Sequence, residues 1–141
     1  MKILLVEDNF EHLRLTKYIL RHNNVAGQVH VVRDGQEAVD YLFHRNQFVD
    51  RDANPRPDLV LLDLNIPRIN GKEVLDIIKS DPELKDIAVV ILSSSDREED
   101  ITHAYEHGAA AYISKSAGFE RLNEALSSVE SFVNARRMTP A

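Results

Sequence analysis

The chain has 141 residues, 43% of them hydrophobic and 28% charged, which is typical of one ordinary globular domain. Its 23 acidic residues outnumber 17 Lys and Arg, so the formal charge is −6, and we expect no nucleic-acid partner because phosphate backbones attract basic surfaces. The lack of cysteine excludes disulfides and thiolate chemistry, and the opening apolar run is too short for a signal peptide or membrane span. We therefore expect one cytoplasmic domain over residues 1–141.

Short apolar segments alternate along the chain with segments of helical spacing. The predicted strands lie at residues 3–6, 29–32, 59–62, 88–92 and 110–113. The predicted helices lie near residues 13–20, 38–43, 74–78, 101–105 and 118–137. Because most of the strand segments are continuously apolar rather than alternating, both faces of the sheet should be covered. This order predicts an α/β fold with a doubly wound parallel sheet.

One connection is unusually long for a compact domain. Residues 45–57, between the second helix and the third strand, are mostly polar and include two prolines. Such a segment is either a tolerated insertion or a functional loop, and the sequence leaves both open.

Charged and hydroxyl side chains stand where the predicted strands end. The first strand is followed by Glu7 and Asp8, the third by Asp63, the fourth by Ser93 and the fifth by Lys115. Ligands bind at the carboxyl ends of strands in open α/β sheets, and three converging carboxylates favour Mg²⁺, which prefers oxygen ligands. A lysine beside them suits an anion, so the pattern predicts phosphoryl chemistry at a carboxylate nucleophile.

Each of these residues also has a simpler explanation when it is taken alone. Glu7 and Asp8 would serve equally well as a helix N-cap, and Asp63 as a residue that ends a strand. Lys115 would be a solvated surface cation, as most lysines are. The joint pattern is what favours a site.

Over nearly its whole length the sequence resembles the receiver domain of two-component response regulators. The matching stretches are LLVEDN (4–9), DLVLLDLNIPRINGKEVL (58–75), VVILSSS (89–95) and GAAAYISKS (108–116). The resemblance implies a flavodoxin-like fold whose five parallel strands follow the order 2-1-3-4-5. It also implies a single-domain regulator that takes a phosphoryl group from a histidine kinase and signals by contact with an unidentified downstream protein.

The resemblance further assigns a role to each matching residue. Glu7 and Asp8 would organise Mg²⁺, and the Asn65 carbonyl would be a further metal ligand. Asp63 would be the phospho-acceptor, and Lys115 would be the family's invariant lysine. Ser93 would be the switch hydroxyl and Tyr112 the switch aromatic residue. The long 45–57 segment makes the chain similar to the regulators of phytochrome-type kinases, and like those single-domain proteins it is expected to have no output domain.

Two residues depart from the family pattern. Ser116 stands where a proline with a cis bond is usual, and a non-proline cis bond costs roughly 3–4 kcal/mol, so we expect a rebuilt or strained loop there. Ser93 stands where threonine is commoner, which loses a methyl group but keeps the hydroxyl. Neither change removes a group that the chemistry needs.

Residues at key positions disfavour two other functions that this fold class could have. A haloacid-dehalogenase-like phosphatase needs an acid two residues after its nucleophilic aspartate, and Asn65 stands there. A flavin-binding flavodoxin needs a phosphate loop after the first strand, and the acidic EDNFEH would repel the phosphate. The receiver interpretation is favoured, as a signalling module rather than a turnover enzyme.

Two further features of the helices lead to expectations. His103 and His107, four residues apart on the fourth helix, would either chelate a metal with two more ligands or be ordinary surface residues. Phe132 lies beside the apolar stripe of the predicted fifth helix. This position predicts a homodimer through the fourth helix, fifth strand and fifth helix. The alternative is that Phe132 only widens the face of the helix that packs on the core.

Overall fold

The computed structural model describes residues 1–22 and 28–115, together with Leu122 and Glu124. The elements in this part of the chain are β1 (Lys2–Val6), α1 (Phe10–His22), β2 (Gln28–Val32), α2 (Gly35–Leu42), a 3₁₀ turn (Asn46–Phe48), β3 (Leu59–Leu62), α3 (Gly71–Ser80), β4 (Ala88–Ser93), α4 (Glu98–Glu106) and β5 (Ala111–Ser114). Apart from Leu122 and Glu124, the predicted helix at 118–137, including Phe132, lies outside the described residues, and so does the predicted rebuilt or strained loop at Ser116. None of the described helices is both long and apolar enough to span a lipid bilayer.

The strands form one parallel sheet in the order β2-β1-β3-β4-β5, as predicted. Every residue of β3 and β4 is buried, which is why these segments are continuously apolar. Alternate residues of β1 enter two different cores: Leu4 packs with residues of α2, α3 and α4, and Leu5 packs with residues of α1. Helices therefore cover both faces of the sheet, and the strand ends remain at its edge.

The long 45–57 connection is packed against the rest of the domain. The Tyr41 hydroxyl donates a 2.9 Å hydrogen bond to the Pro55 carbonyl, and the ring of Phe48 meets the Tyr41 ring edge-on at 5.2 Å. Tyr41 is itself 1% exposed, so the segment is anchored to the core by a buried side chain.

Candidate functional site

Glu7 and Asp8 occupy the short connection between β1 and α1. The backbone N–H of Glu7 donates to the Val32 carbonyl at 3.1 Å, which continues the pairing of β1 with β2 by one residue. The helix cap is Asn9, whose side-chain oxygen accepts from the His12 N–H at 3.1 Å. The interpretation of Glu7 and Asp8 as the cap is therefore wrong, and both carboxylates are left for another purpose.

Asp63 follows β3 at the same edge of the sheet and is 7% exposed. Its backbone N–H donates to the Val6 carbonyl at 3.1 Å, and its Oδ1 accepts from the Asn65 N–H at 3.0 Å. Gly71 packs directly behind it, since a Cβ atom there would lie 2.4 Å from the Asp63 carbonyl oxygen. The start of α3 thus depends on a glycine to approach the Asp63 backbone.

Lys115 joins the two buried carboxylates. Its Nζ lies 2.5 Å from Glu7 Oε1 and 3.1 Å from Asp63 Oδ2, and only 5% of its side chain is exposed. The same ammonium group lies 3.0 Å from Nδ1 of His12, on the first turn of α1. Lys115 is therefore a buried, paired cation, and its interpretation as a solvated surface lysine is wrong.

The carboxylates form a cluster that fits a divalent cation. Oxygen atoms of Glu7, Asp8 and Asp63 lie within 4.8 Å of one another, and Asp8 is the most exposed of the three. Burial and then the neighbouring Asp63 raise the pKa of Glu7 to about 7, although Lys115 acts in the opposite direction. One ammonium group thus only partly offsets the repulsion between these carboxylates, and an all-oxygen donor set is what hard cations prefer.

Ser93 and Tyr112 contact the same residue of the connection after β4. Ser93 is fully buried, and its Oγ accepts from the Ser95 N–H at 3.1 Å. The Tyr112 hydroxyl donates to the Ser95 carbonyl at 2.8 Å, and the Tyr112 N–H donates to the Tyr105 hydroxyl at 3.1 Å. The backbone of Ser95 therefore connects the two predicted switch residues, in a way that the sequence did not indicate.

A second polar group joins this connection to α3 and α4. Asp100 is 7% exposed, and its Oδ1 lies 2.6 Å from Lys72 Nζ. Its Oδ2 accepts from the Ser95 hydroxyl at 2.5 Å and lies 3.7 Å from Arg97 Nε. These partners, Lys72 first and then Ser95, hold the pKa of Asp100 below its usual value. Asp100 and Lys72 also line a cavity of about 280 Å³ that includes Asn65.

The structure brings together most of the residues that the sequence singled out. Glu7, Asp8, Asp63 and Lys115 share one cluster, whereas Ser93 and Tyr112 meet at Ser95. Asn65 is held beside Asp63 through its N–H. Sequence reasoning missed His12, and the only indication of it was its position one helical turn beyond the acidic pair.

Comparisons with known proteins identify the family of this chain. The family model described as the response regulator receiver domain matches residues 3–127. Response regulator Rcp1 of Synechocystis sp. is 38% identical over 130 residues, which are 92% of this chain and 86% of that protein.

Two solved structures are similar over almost the full length of both chains. The Mn²⁺-bound form of Rcp1 has a TM-score of 0.80 and 36% identity, and the alignment covers 99% of each chain. The phosphorylated cyanobacterial phytochrome response regulator RcpA has a TM-score of 0.81 and 44% identity, with 99% of this chain and 98% of that chain covered. The haloacid-dehalogenase-like alternative is not supported by any of these matches. The chain belongs to the response regulator receiver domains, the family that receives phosphoryl groups from histidine kinases.

Proposed function

We propose that Asp63 accepts a phosphoryl group from the phosphohistidine of a histidine kinase, and that Lys115, Ser93 and the acidic pair assist it. The observation that carries this proposal is the contact of Lys115 Nζ with both Asp63 and Glu7, at the edge where Asp63 ends its strand. A buried ammonium group beside a carboxylate is placed to attract an incoming phosphoryl anion.

The reaction is a displacement at phosphorus. An oxygen of Asp63 forms the new P–O bond while the P–N bond to the donor imidazole breaks, and the electron pair of that bond stays with the ring nitrogen. Lys115 neutralises charge that develops on the phosphoryl oxygens, because its ammonium group already lies 3.1 Å from Asp63. The N–H of Asn65, which donates to Asp63 Oδ1, keeps the nucleophile in one orientation.

Mg²⁺ is the metal that we propose for the carboxylate cluster. Asp8 and Asp63 would hold it directly, with the Asn65 carbonyl as a further ligand, and Glu7 would act from beside them. When bound, the cation would offset the charge of the three carboxylates and of the phosphoryl oxygens. The Mn²⁺-bound form of Rcp1 supports a divalent cation in a relative, and the oxygen donors here suit both metals.

Ser93 and Tyr112 are the proposed switch. Phosphorylation adds about −1.5 to −2 charge and strong acceptor oxygens, which the Ser93 hydroxyl is free to reach once it leaves the Ser95 N–H. Because Tyr112 also binds Ser95, a shift of Ser95 would be passed to β5 and to α4.

For the biological setting, we propose that residues 1–141 form one receiver domain that acts in the cytoplasm. It would transfer its signal to a downstream protein, and it would not turn over a substrate as an enzyme or bind nucleic acid. The donor would be a phytochrome-type kinase, a proposal supported by the likeness to the phytochrome response regulator RcpA.

We further propose a homodimer through α4, β5 and the predicted helix at 118–137. Support comes from Tyr105 of α4, which is 51% exposed while its hydroxyl binds the Tyr112 backbone at this face. Sedimentation of the wild type and of Phe132→Asp at tens of micromolar, with and without acetyl phosphate, tests it. A monomer under every condition would exclude the dimer.

Intact-mass spectrometry with acetyl phosphate tests the phosphorylation itself. With Mg²⁺ present, the wild type should gain about 80 Da, the mass of one phosphoryl group in place of hydrogen. Asp63→Asn should gain nothing, and Asp86→Asn, which changes an exposed aspartate, should behave like the wild type. Equal labelling of Asp63→Asn would contradict the proposal.

A further inference from the structure

A second group of metal-ligand side chains lies between α3 and α4, outside the carboxylate cluster. Its members are Asp76 of α3, His103 of α4 and His107, which is the residue that ends α4. One donor atom from each lies within 4.8 Å of the other two. The two imidazole rings stack with their centroids 4.0 Å apart and their planes 18° apart, as expected for residues four apart on one helix face.

One nitrogen of this group has no hydrogen-bond partner among the described residues. Nε2 of His103 is buried and accepts or donates no hydrogen bond among the residues that the structure describes. Oδ1 of Asp76 is buried as well, and its close neighbour is His107 Nδ1 at 2.7 Å, which forms an ion pair with it when that imidazole is protonated. Buried polar atoms are nearly always satisfied, so the unpartnered Nε2 of His103, beside an Asp–His pair, needs an explanation. A shared ligand would provide it.

We propose that Asp76, His103 and His107 bind a late first-row divalent cation such as Zn²⁺. Two imidazole nitrogens and one carboxylate oxygen are a common donor set for this ion, with a fourth position left for water. Imidazole suits Zn²⁺, Cu²⁺ and Ni²⁺, whereas Mg²⁺ prefers oxygen donors, so this site and the carboxylate cluster would select different metals.

The three side chains are close enough for rotation about their side-chain bonds to bring them toward a shared ion. Ligands at bond lengths of about 2.1 Å from a tetrahedral ion lie about 3.4 Å from one another, closer than the 4.8 Å limit seen here. The side chains of Asp76 and His107 are 44% and 43% exposed, so both have room to rotate toward His103. A bound ion would then join the end of α4 to α3, which meet near the start of α4 through Lys72 and Asp100.

Zinc binding to the full chain tests this inference and does not depend on the proposed phosphorylation. Titration calorimetry with Zn²⁺ in excess Mg²⁺ should show one zinc equivalent that His103→Ala, His107→Ala and Asp76→Asn each weaken by at least about tenfold. His22→Ala, which removes an exposed histidine from the end of α1, is the matched control and should bind like the wild type. In the wild type, the ring ¹⁵N resonances of His103 and His107 should shift on zinc addition, while that of His22 should not.

Two kinds of result would overturn the three-ligand zinc site. Zinc binding that survives all three substitutions, or that Asp8→Asn abolishes, would place the ion elsewhere and overturn the proposal. Loss with either histidine variant but not with Asp76→Asn would show a simple two-histidine chelate and would overturn the three-ligand site. Circular dichroism of each variant verifies that a loss of binding is not a loss of fold.

Discussion

Asp100→Asn is the substitution that most directly probes the polar group between α3, α4 and Ser95. It keeps the size of the side chain but removes a negative charge that is 7% exposed. The carboxylate accepts from Lys72 at 2.6 Å and from the Ser95 hydroxyl at 2.5 Å. Asparagine retains one carbonyl oxygen, so it can keep the bond from Ser95 but not the ionic contact with Lys72.

The expected loss follows from the exposure of the partners. Hydrogen bonds to charged groups contribute about 1.5–3 kcal/mol when buried, whereas exposed ion pairs contribute about 1 kcal/mol or less. The Lys72 side chain is 39% exposed, so the energy of its contact with Asp100 should lie between the buried and the exposed values. The Arg97 side chain is 67% exposed, so its contact should be weak. We therefore expect Asp100→Asn to lower the free energy of unfolding by about 1–3 kcal/mol at pH 7.

The effect of this substitution should depend on pH in one direction. Lys72 and Ser95 lower the pKa of Asp100 in the folded state, so the stabilisation is complete above the unfolded pKa of about 3.9. It is lost as the pH falls through the lower, folded-state pKa. The difference between the wild type and Asp100→Asn should thus be constant from pH 7 to about pH 5 and shrink below about pH 4.

Urea unfolding followed by circular dichroism measures this difference at each pH. Asp96→Asn is the control, because Asp96 is exposed four residues away, and it should change the stability little. Equal stability of Asp100→Asn and the wild type at pH 7, or a difference that persists unchanged at pH 3, would refute the reasoning.

Substitutions at three further places in the structure have expected effects. Gly71→Ala would place a Cβ atom 2.4 Å from a backbone oxygen, and we expect a loss of about 1–3 kcal/mol in urea unfolding; an unchanged midpoint would contradict that close approach. Asp8→Asn should weaken Mg²⁺ binding in calorimetry well beyond Glu7→Gln, and wild-type binding by both variants would place the metal elsewhere. Tyr41→Phe should cost about 1 kcal/mol by removing the hydrogen bond to Pro55, and no change in stability would mean that this anchor contributes nothing.

The sheet could be predicted from the sequence because its pattern is local. Strands β3 and β4 are buried on both faces, so residues 59–62 and 88–92 are unbroken apolar runs, and Asp63 and Ser93 mark where the two runs end. Asn70 is the N-cap of α3, where its side chain accepts from the Glu73 N–H, and asparagine is among the residue types that helix N-caps prefer.

Contacts between distant residues were not predictable in the same way. Lys72 and Asp100 are far apart in sequence and meet because α3 and α4 are neighbours. A surface lysine or aspartate does not indicate from the sequence alone which residue it will pair with. The same holds for Asp76 and His107, whose contact supplied the third donor that the spacing of the histidines alone did not. The convergence of Glu7, Asp8, Asp63 and Lys115 was predictable because parallel strands end at one edge of the sheet, whereas these contacts between helices were not, because they depend on how α3 packs beside α4.

Chemical assignment of the phosphorylated residue tests most directly the central claim that Asp63 is the phospho-acceptor. Borohydride reduces an aspartyl phosphate to homoserine, so reduction after treatment with acetyl phosphate and Mg²⁺, followed by peptide sequencing, reports the modified position. We predict homoserine at position 63 and an unmodified aspartate at positions 8 and 58. Homoserine at another position, with Asp63 intact in the wild-type protein, would contradict the assignment of Asp63 as the acceptor.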